Sequence, residues 1–213
     1  MTDLAERRLE EKERRRDDIL DAAETVAMKW GLERMTMDQV ARKARLSRAL
    51  LYVYFKDKDD LLFGVTERAH QLLRTRFVEA AARKPTGLTK ILAIGHAYVT
   101  FCEEFSVYFA AMARFEAHEA GTQESPNVER CLTSCQGVHA VMVDILQQGI
   151  ADGSIRSDAG DLRVIAMTLW GFMHGILQII ATKADVIAHT GVSTQQLIEN
   201  ALLMCTRSLQ GKA

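Results

Sequence analysis

Apolar residues recur at the helical intervals i, i+3, i+4 and i+7 along most of this 213-residue chain, and local stop signals cut the pattern into segments. Ile19, Ala22, Ala23, Val26, Ala27 and Trp30 share one face of a first helix, from about Arg14 to Trp30, which Gly31 ends. Upstream, ERRLEEKERRR has almost nothing to bury; it either extends that helix through i,i+4 ion pairs or remains a charged arm. Thr36 with Gln39 makes a capping box for a second helix, about Met37 to Ala44. Ser47 is the N-cap of a third that ends near Tyr54 or Phe55. Two short helices across a three-residue turn form a helix-turn-helix.

Six further helices are expected at about Lys58–Arg83, Thr89–Glu104, Ser106–His118, Pro126–Ala151, Asp161–Thr182 and Ser193–Gln210. Lys84-Pro85, Ser125-Pro126, the stretch DGSIRSDAG and Ser193 with Gln196 supply the stops and starts. The expected fold is all-α with about nine helices, and the long fourth helix joins two domains. Residues 1–60 form a helix-turn-helix module with a charged N-terminal arm, and residues 61–213 a larger helical domain. Composition agrees: only Pro85 and Pro126 interrupt a chain rich in helix formers.

Net charge is −1, which gives no general attraction to nucleic acid, but the distribution is uneven. Residues 1–60 balance fourteen Lys/Arg against fourteen Asp/Glu. Within them, the window from Arg42 to Lys58 holds six basic residues against Asp57 alone, a local charge of +5 suited to phosphates. In the third helix Arg48, Ala49, Tyr52 and Val53 make one stripe, while Leu51 and Phe55 make another that can pack on Ile19, Val26, Val40 and Leu46. The outward stripe suits a major groove: Arg48 can donate to guanine and Ala49 lets the backbone approach. Thr36, Tyr52, Tyr54 and Lys58 carry hydroxyl or ammonium groups that could reach phosphates on either side.

The segment ILDAAETVAMKWGLERMTMDQVARKARLSRALLYVYFKDKDDLL resembles the DNA-binding domain of the TetR family of bacterial transcriptional regulators. The resemblance rests on Ala22-Ala23, Gly31, Thr36, Val40-Ala41, Ser47 and LYVYFKDKDDLL, and it covers about 48 residues, Arg15 to Leu62. It implies a cytoplasmic homodimer that binds double-stranded DNA at a palindromic operator, together with a divergent C-terminal domain that binds a small-molecule effector and dimerises. The DNA-binding set expected on this basis is Thr36, Arg45, Ser47, Arg48, Ala49, Leu50, Tyr52, Val53, Tyr54 and Lys58. Two positions depart from the family pattern. Arg45 stands where the turn usually has Gly, and must either adopt a left-handed conformation or relax the turn; an arginine there could add a phosphate contact. Leu50 stands where many members carry a hydroxyl.

In the C-terminal region Gly171 and Gly175 leave one helix face bare enough for close approach by a partner helix. Leu197, Ile198, Ala201, Leu202, Cys205 and Leu209 form an apolar stripe on the last helix. By resemblance these two helices pair with their copies in a four-helix bundle, with Gly171, Gly175, Leu197, Ala201, Leu202 and Cys205 at the dimer interface. Aromatic and methionine side chains fit an adaptable apolar pocket with a few polar groups at its wall. Its candidate lining is His96, Phe109, Met112, Phe115, Glu116, His139, Met142, Trp170, Met173 and His174.

Other chemistries find less support. Cys131, Cys135 and His139 follow a C-x3-C-x3-H spacing open to a metal or redox sensor, but small buried cysteines are common in cores and no fourth ligand is evident. No Gly-rich phosphate loop, nucleophile elbow or metal-hydrolase motif occurs, so neither an enzyme nor a cofactor is expected. The apolar run Val164–Ile180 falls short of the ~20 residues that span a bilayer, and MTDLAERRLEEKERRR has no apolar leader segment, so no membrane is expected as a partner. A ligand-responsive repressor is the expectation; a DNA-binding regulator without an effector is its main rival.

Overall fold

The computed structural model describes residues 2–117 and 125–211, and among them it contains nine α-helices and a single isolated bridge, Ile155 to Gln210. Helix α1 (Thr2–Trp30) buries Ile19, Leu20, Ala23 and Ala27, and Gly31 ends it at φ +77°. It starts twelve residues before the expected Arg14 because its charged segment is paired. Arg14 and Arg15 reach Glu11 at 2.7 and 3.1 Å, and Arg130 grips both oxygens of Glu13 at 2.7 and 2.9 Å. Such pairs add a few tenths of a kcal/mol each where they are exposed.

Helices α2 (Met37–Lys43) and α3 (Arg48–Tyr54) follow. Thr36 Oγ1 accepts from the Gln39 amide at 3.3 Å while Gln39 Oε1 accepts from the Thr36 amide at 2.9 Å, and Ser47 Oγ accepts from the Leu50 amide at 3.2 Å. Between them Arg45 adopts φ +57°, so the turn keeps its left-handed geometry without a glycine; the Leu46 amide donates to the Ala41 carbonyl at 2.9 Å.

The remaining helices are α4 (Lys58–Ala82), α5 (Gly87–Glu104), α6 (Ser106–Glu116), α7 (Pro126–Ala151), α8 (Leu162–His189) and α9 (Thr194–Leu209). Helix α5 begins before the expected Thr89 because Thr86 is its cap, and Thr89 closes the capping box from the third position. A side chain at Gly87 would strike the backbone of Gly149 in α7, so the first turn of α5 needs the bare backbone. Helix α8 continues past the expected end at Thr182, with Lys183 departing from helical geometry at φ −135°, ψ 26°. By length and composition α8 could cross a membrane, yet it buries Ala166, Trp170, Met173 and Leu177 in protein. The expected end of α6 at His118 lies outside the described residues.

Two compact units emerge. The first takes the described residues of 1–69 and 106–133, the second those of 70–105 and 134–211. The boundary expected at residues 60–61 therefore falls inside α4, and α6 packs with the helix-turn-helix, since Ala111 joins the core of Ile19, Val40, Leu51, Phe55 and Leu61. The second unit is centred on Ile94, Tyr98, Val138, Met142, Trp170 and Met173.

Candidate nucleic-acid interface and effector cavity

Helix α3 is anchored on one side only. Leu51 and Phe55 are completely buried, whereas Arg48, Ala49, Leu50, Tyr52 and Val53 are exposed, Val53 to 71%. Burying Leu51 and Phe55 contributes roughly 1.5–3 kcal/mol each, enough to hold so short a helix in place. The exposed face carries a preformed polar pair: the Arg48 guanidinium lies 5.5 Å over the Tyr52 ring, donates to its hydroxyl at 3.4 Å, and reaches Asp38 of α2 at 3.3 Å. The Tyr52 hydroxyl and then Asp38 raise the Arg48 pKa further, so it stays a cation.

Around this face Thr36 and Ser47 are exposed caps, and Arg45 is exposed at the turn. Lys58 donates to the Glu33 carbonyl at 2.8 Å, leaving two of its N–H bonds for other acceptors. Tyr54 is only half-exposed, and its carbonyl accepts from Asn127 Nδ2 at 3.2 Å.

That last contact belongs to a buried polar network that sequence patterns did not reveal. Arg16 donates to Glu67 at 2.5 Å and to Asn127 Oδ1 at 3.0 Å, Asn127 donates to Asp60 at 3.0 Å, and Ser125 bonds the other oxygen of Asp60. All but Ser125 of these side chains are buried. One signal for Arg16 was available: it stands at the i, i+3, i+4, i+7 spacing with Ile19, Leu20 and Ala23, on the buried face of α1.

In the second unit a narrow cleft of about 40 Å³ is walled by Phe77, Ile91, Leu92, Ile94, Gly95, Tyr98, Met142, Leu169, Trp170, Met173, Leu202, Cys205 and Thr206. Three of the expected pocket residues, Met142, Trp170 and Met173, line it directly. His174 and His139 stand next to it. Tyr98 and His174 Nδ1 share a 2.7 Å hydrogen bond, and the Tyr98 and Trp170 rings stack at 5.0 Å; the His139 ring lies 5.3 Å from Trp170. Burial pushes the His174 pKa down to about 4, so this imidazole is neutral.

The other expected pocket residues lie elsewhere. Phe109, Met112, Phe115 and Glu116 belong to α6 in the first unit, where Phe115 meets Phe63 edge-on at 6.0 Å, and His96 is exposed on α5. Aromatic content alone did not distinguish core from cavity.

The stripe on α9 also points inward. Ala201, Leu202 and Cys205 are buried within the single chain and Leu197 is half-buried, so they do not present an outer face. The reason is Gly95: its missing side chain admits Leu202 to α5, where a Cβ would overlap the leucine at 2.5 Å. Outward-facing apolar residues are instead Leu203 and Met204 on α9 and Val164, Met167 and Ile179 on α8. Gly171 and Gly175 belong to that outer face of α8, and a Cβ on either would meet nothing within 4 Å. Cys131, Cys135 and His139 do not converge on a point: His139 Nδ1 is turned onto the Cys135 carbonyl at 3.1 Å, and among the described residues no cluster could hold a metal ion.

Known proteins carry the same head and fold. Residues 19–65 match the family model described as bacterial regulatory proteins, tetR family. The HTH-type transcriptional repressor KstR2 of Mycolicibacterium smegmatis is 27% identical over 159 residues, covering 73% of this chain and 76% of the repressor. Two solved structures share the fold. The transcriptional regulator FadR of Bacillus subtilis in complex with stearoyl-CoA has a TM-score of 0.65 at 18% identity, over 91% of this chain and 98% of FadR. The ketosteroid transcriptional regulator KstR2 of Mycobacterium tuberculosis has a TM-score of 0.63 at 18% identity, over 93% and 96%. The one-sided third helix, its capped helix-turn-helix and the match over residues 19–65 make the N-terminal head of this chain similar to the tetR family of bacterial regulatory proteins, and its fold similar to that of these regulators.

Proposed function

We propose that the protein is a dimeric cytoplasmic repressor that binds a palindromic operator and leaves it when a small, largely apolar effector enters the cleft of the second unit. The observation that carries this is α3: two side chains fully buried, and beside them an open face of Arg48, Ala49, Tyr52 and Val53. On DNA, Arg48 would donate to guanine, Ala49 and Val53 would meet thymine methyls, and Thr36, Arg45, Ser47, Tyr54 and Lys58 would grip the backbone. Leu50, at the edge of this face, offers only apolar contact. The outer face of α8, with Gly171 and Gly175 at its centre, would meet its copy in the second protomer.

For the effector, walls of Phe77, Met142, Trp170 and Met173 favour an apolar body. The stearoyl-CoA bound by one structural neighbour and the ketosteroid link in the name of another point the same way. Phe77 lies in α4, the helix whose N-terminal part packs beneath α3. An effector that displaces Phe77 would therefore bias the position of α4. That is the route by which ligand would change the spacing of the two recognition helices, which must match major grooves about 34–36 Å apart.

Fluorescence anisotropy with operator DNA at several salt concentrations tests the proposal. Arg48→Ala should weaken operator binding by about 1–3 kcal/mol and relax preference at one base pair per half-site. Wild-type operator affinity in the variant, with an undiminished preference over random DNA, would rule out α3 as the reading helix.

A further inference from the structure

Buried polar atoms in folded proteins are almost always hydrogen-bonded, so an exception asks what completes it. Among the described residues one buried side-chain nitrogen or oxygen lacks a partner: Nε2 of His139. The rest of that ring is fixed. Its Nδ1 lies 3.1 Å from the Cys135 carbonyl oxygen, which can only accept, and 3.7 Å from Cys135 Sγ; donation to the carbonyl puts a hydrogen on Nδ1 and leaves Nε2 as the acceptor. His139 sits one turn before Met142 and 5.3 Å from Trp170, two walls of the cleft.

We infer that the effector carries a neutral hydroxyl group that donates a hydrogen bond to His139 Nε2, and that His139 selects hydroxylated ligands from otherwise similar apolar ones. The inference rests on the cleft being the effector site. Three features favour a hydroxyl over other donors. An ammonium would lose its hydration against Trp170 and Met142 with no carboxylate paired to His139 among the described residues. An amide would bring a carbonyl that itself needs a donor. A hydroxyl supplies one hydrogen and leaves little else to satisfy. An apolar ligand without it would leave Nε2 unpaired, and sites built around such a bond discriminate strongly against analogues that lack it.

The test uses two isomers of one formula, 1-decanol and nonyl methyl ether, titrated calorimetrically into the full-length protein. Wild type should bind the alcohol about tenfold more tightly than the ether. His139→Phe, which keeps the ring but removes the acceptor, should bring the alcohol down to the level of the ether and leave the ether unchanged. His139→Gln, whose side-chain oxygen can accept, should keep part of the preference. Nitrogen-15 NMR of the wild-type histidines supplies a readout that needs no variant: the alcohol should shift His139 Nε2 and the ether should not. Equal binding of the two isomers by wild type would overturn the inference while leaving the cleft as effector site. Binding of neither would overturn the cleft assignment and the inference with it.

Discussion

The two units bury different chemistry. The first sinks Arg16, Asp60, Glu67 and Asn127 below the surface and pairs each one, and it adds a fan of carboxylates, Asp17, Asp21 and Glu24, at 2.9, 2.6 and 3.0 Å around Arg68. The second buries mainly aromatic rings and methionines around a cleft, with the Tyr98–His174 pair beside it. Buried ion pairs are poor sources of net stability but hold their partners in one geometry, whereas methionine-lined clefts yield easily. The contrast fits the proposed function, in which a reading helix has to arrive at the groove in one orientation and an effector site has to give way.

Breaking the polar side of that contrast should have the largest effect. Arg16→Ala takes the Arg16 guanidinium away from buried Glu67 and from Asn127 Oδ1, which should cost about 3–5 kcal/mol. The two tryptophans fall one in each unit, Trp30 in the first and Trp170 in the second, so single-tryptophan variants can follow urea unfolding of each. The Trp30 transition should move furthest; an unchanged midpoint there would mean that the network contributes no stability.

The second unit should instead be sensitive to acid. His174 titrates near 4 when folded, below its ordinary 6.5, so between those values only the unfolded chain takes up the proton. Its contribution is complete above pH 6.5 and is lost as pH falls through about 4, some ~3 kcal/mol in all. Unfolding measured from pH 7 to pH 4 should show that loss in wild type and a much smaller one in His174→Phe.

The smallest effect sharpens the comparison at the reading head itself. Arg45→Gly should stabilise the first unit by about 1 kcal/mol by relieving a left-handed arginine. If Arg45 grips a phosphate, the same change lowers operator affinity and makes the salt dependence shallower by about one charge. Higher melting temperature with unchanged salt dependence would make Arg45 a local strain without a DNA role.

What the sequence disclosed was set by range. Caps at Thr36, Ser47 and Ser193 involve groups three residues apart, and the two faces of α3 follow from spacing within seven residues, so both were legible. Arg16 meets Asn127 across 111 residues, and nothing in the local pattern around Pro126 announces it. The inward turn of Leu202 depends on a glycine more than a hundred positions away, and the placement of α6 with the first unit depends on tertiary packing. Periodicity locates an apolar face; it does not say which neighbour covers it.

Helix α9 has Leu202 against the cleft and the adjacent Leu203 toward the outside. If the outer face meets a second protomer as proposed, ligand taste and partner choice are encoded at neighbouring but separate positions of one helix. A lineage could drift at 202 to answer a new metabolite while 203 and 204 keep recognising the same copy, or the reverse. Duplicated genes could therefore diverge in what they sense before they diverge in whom they pair with.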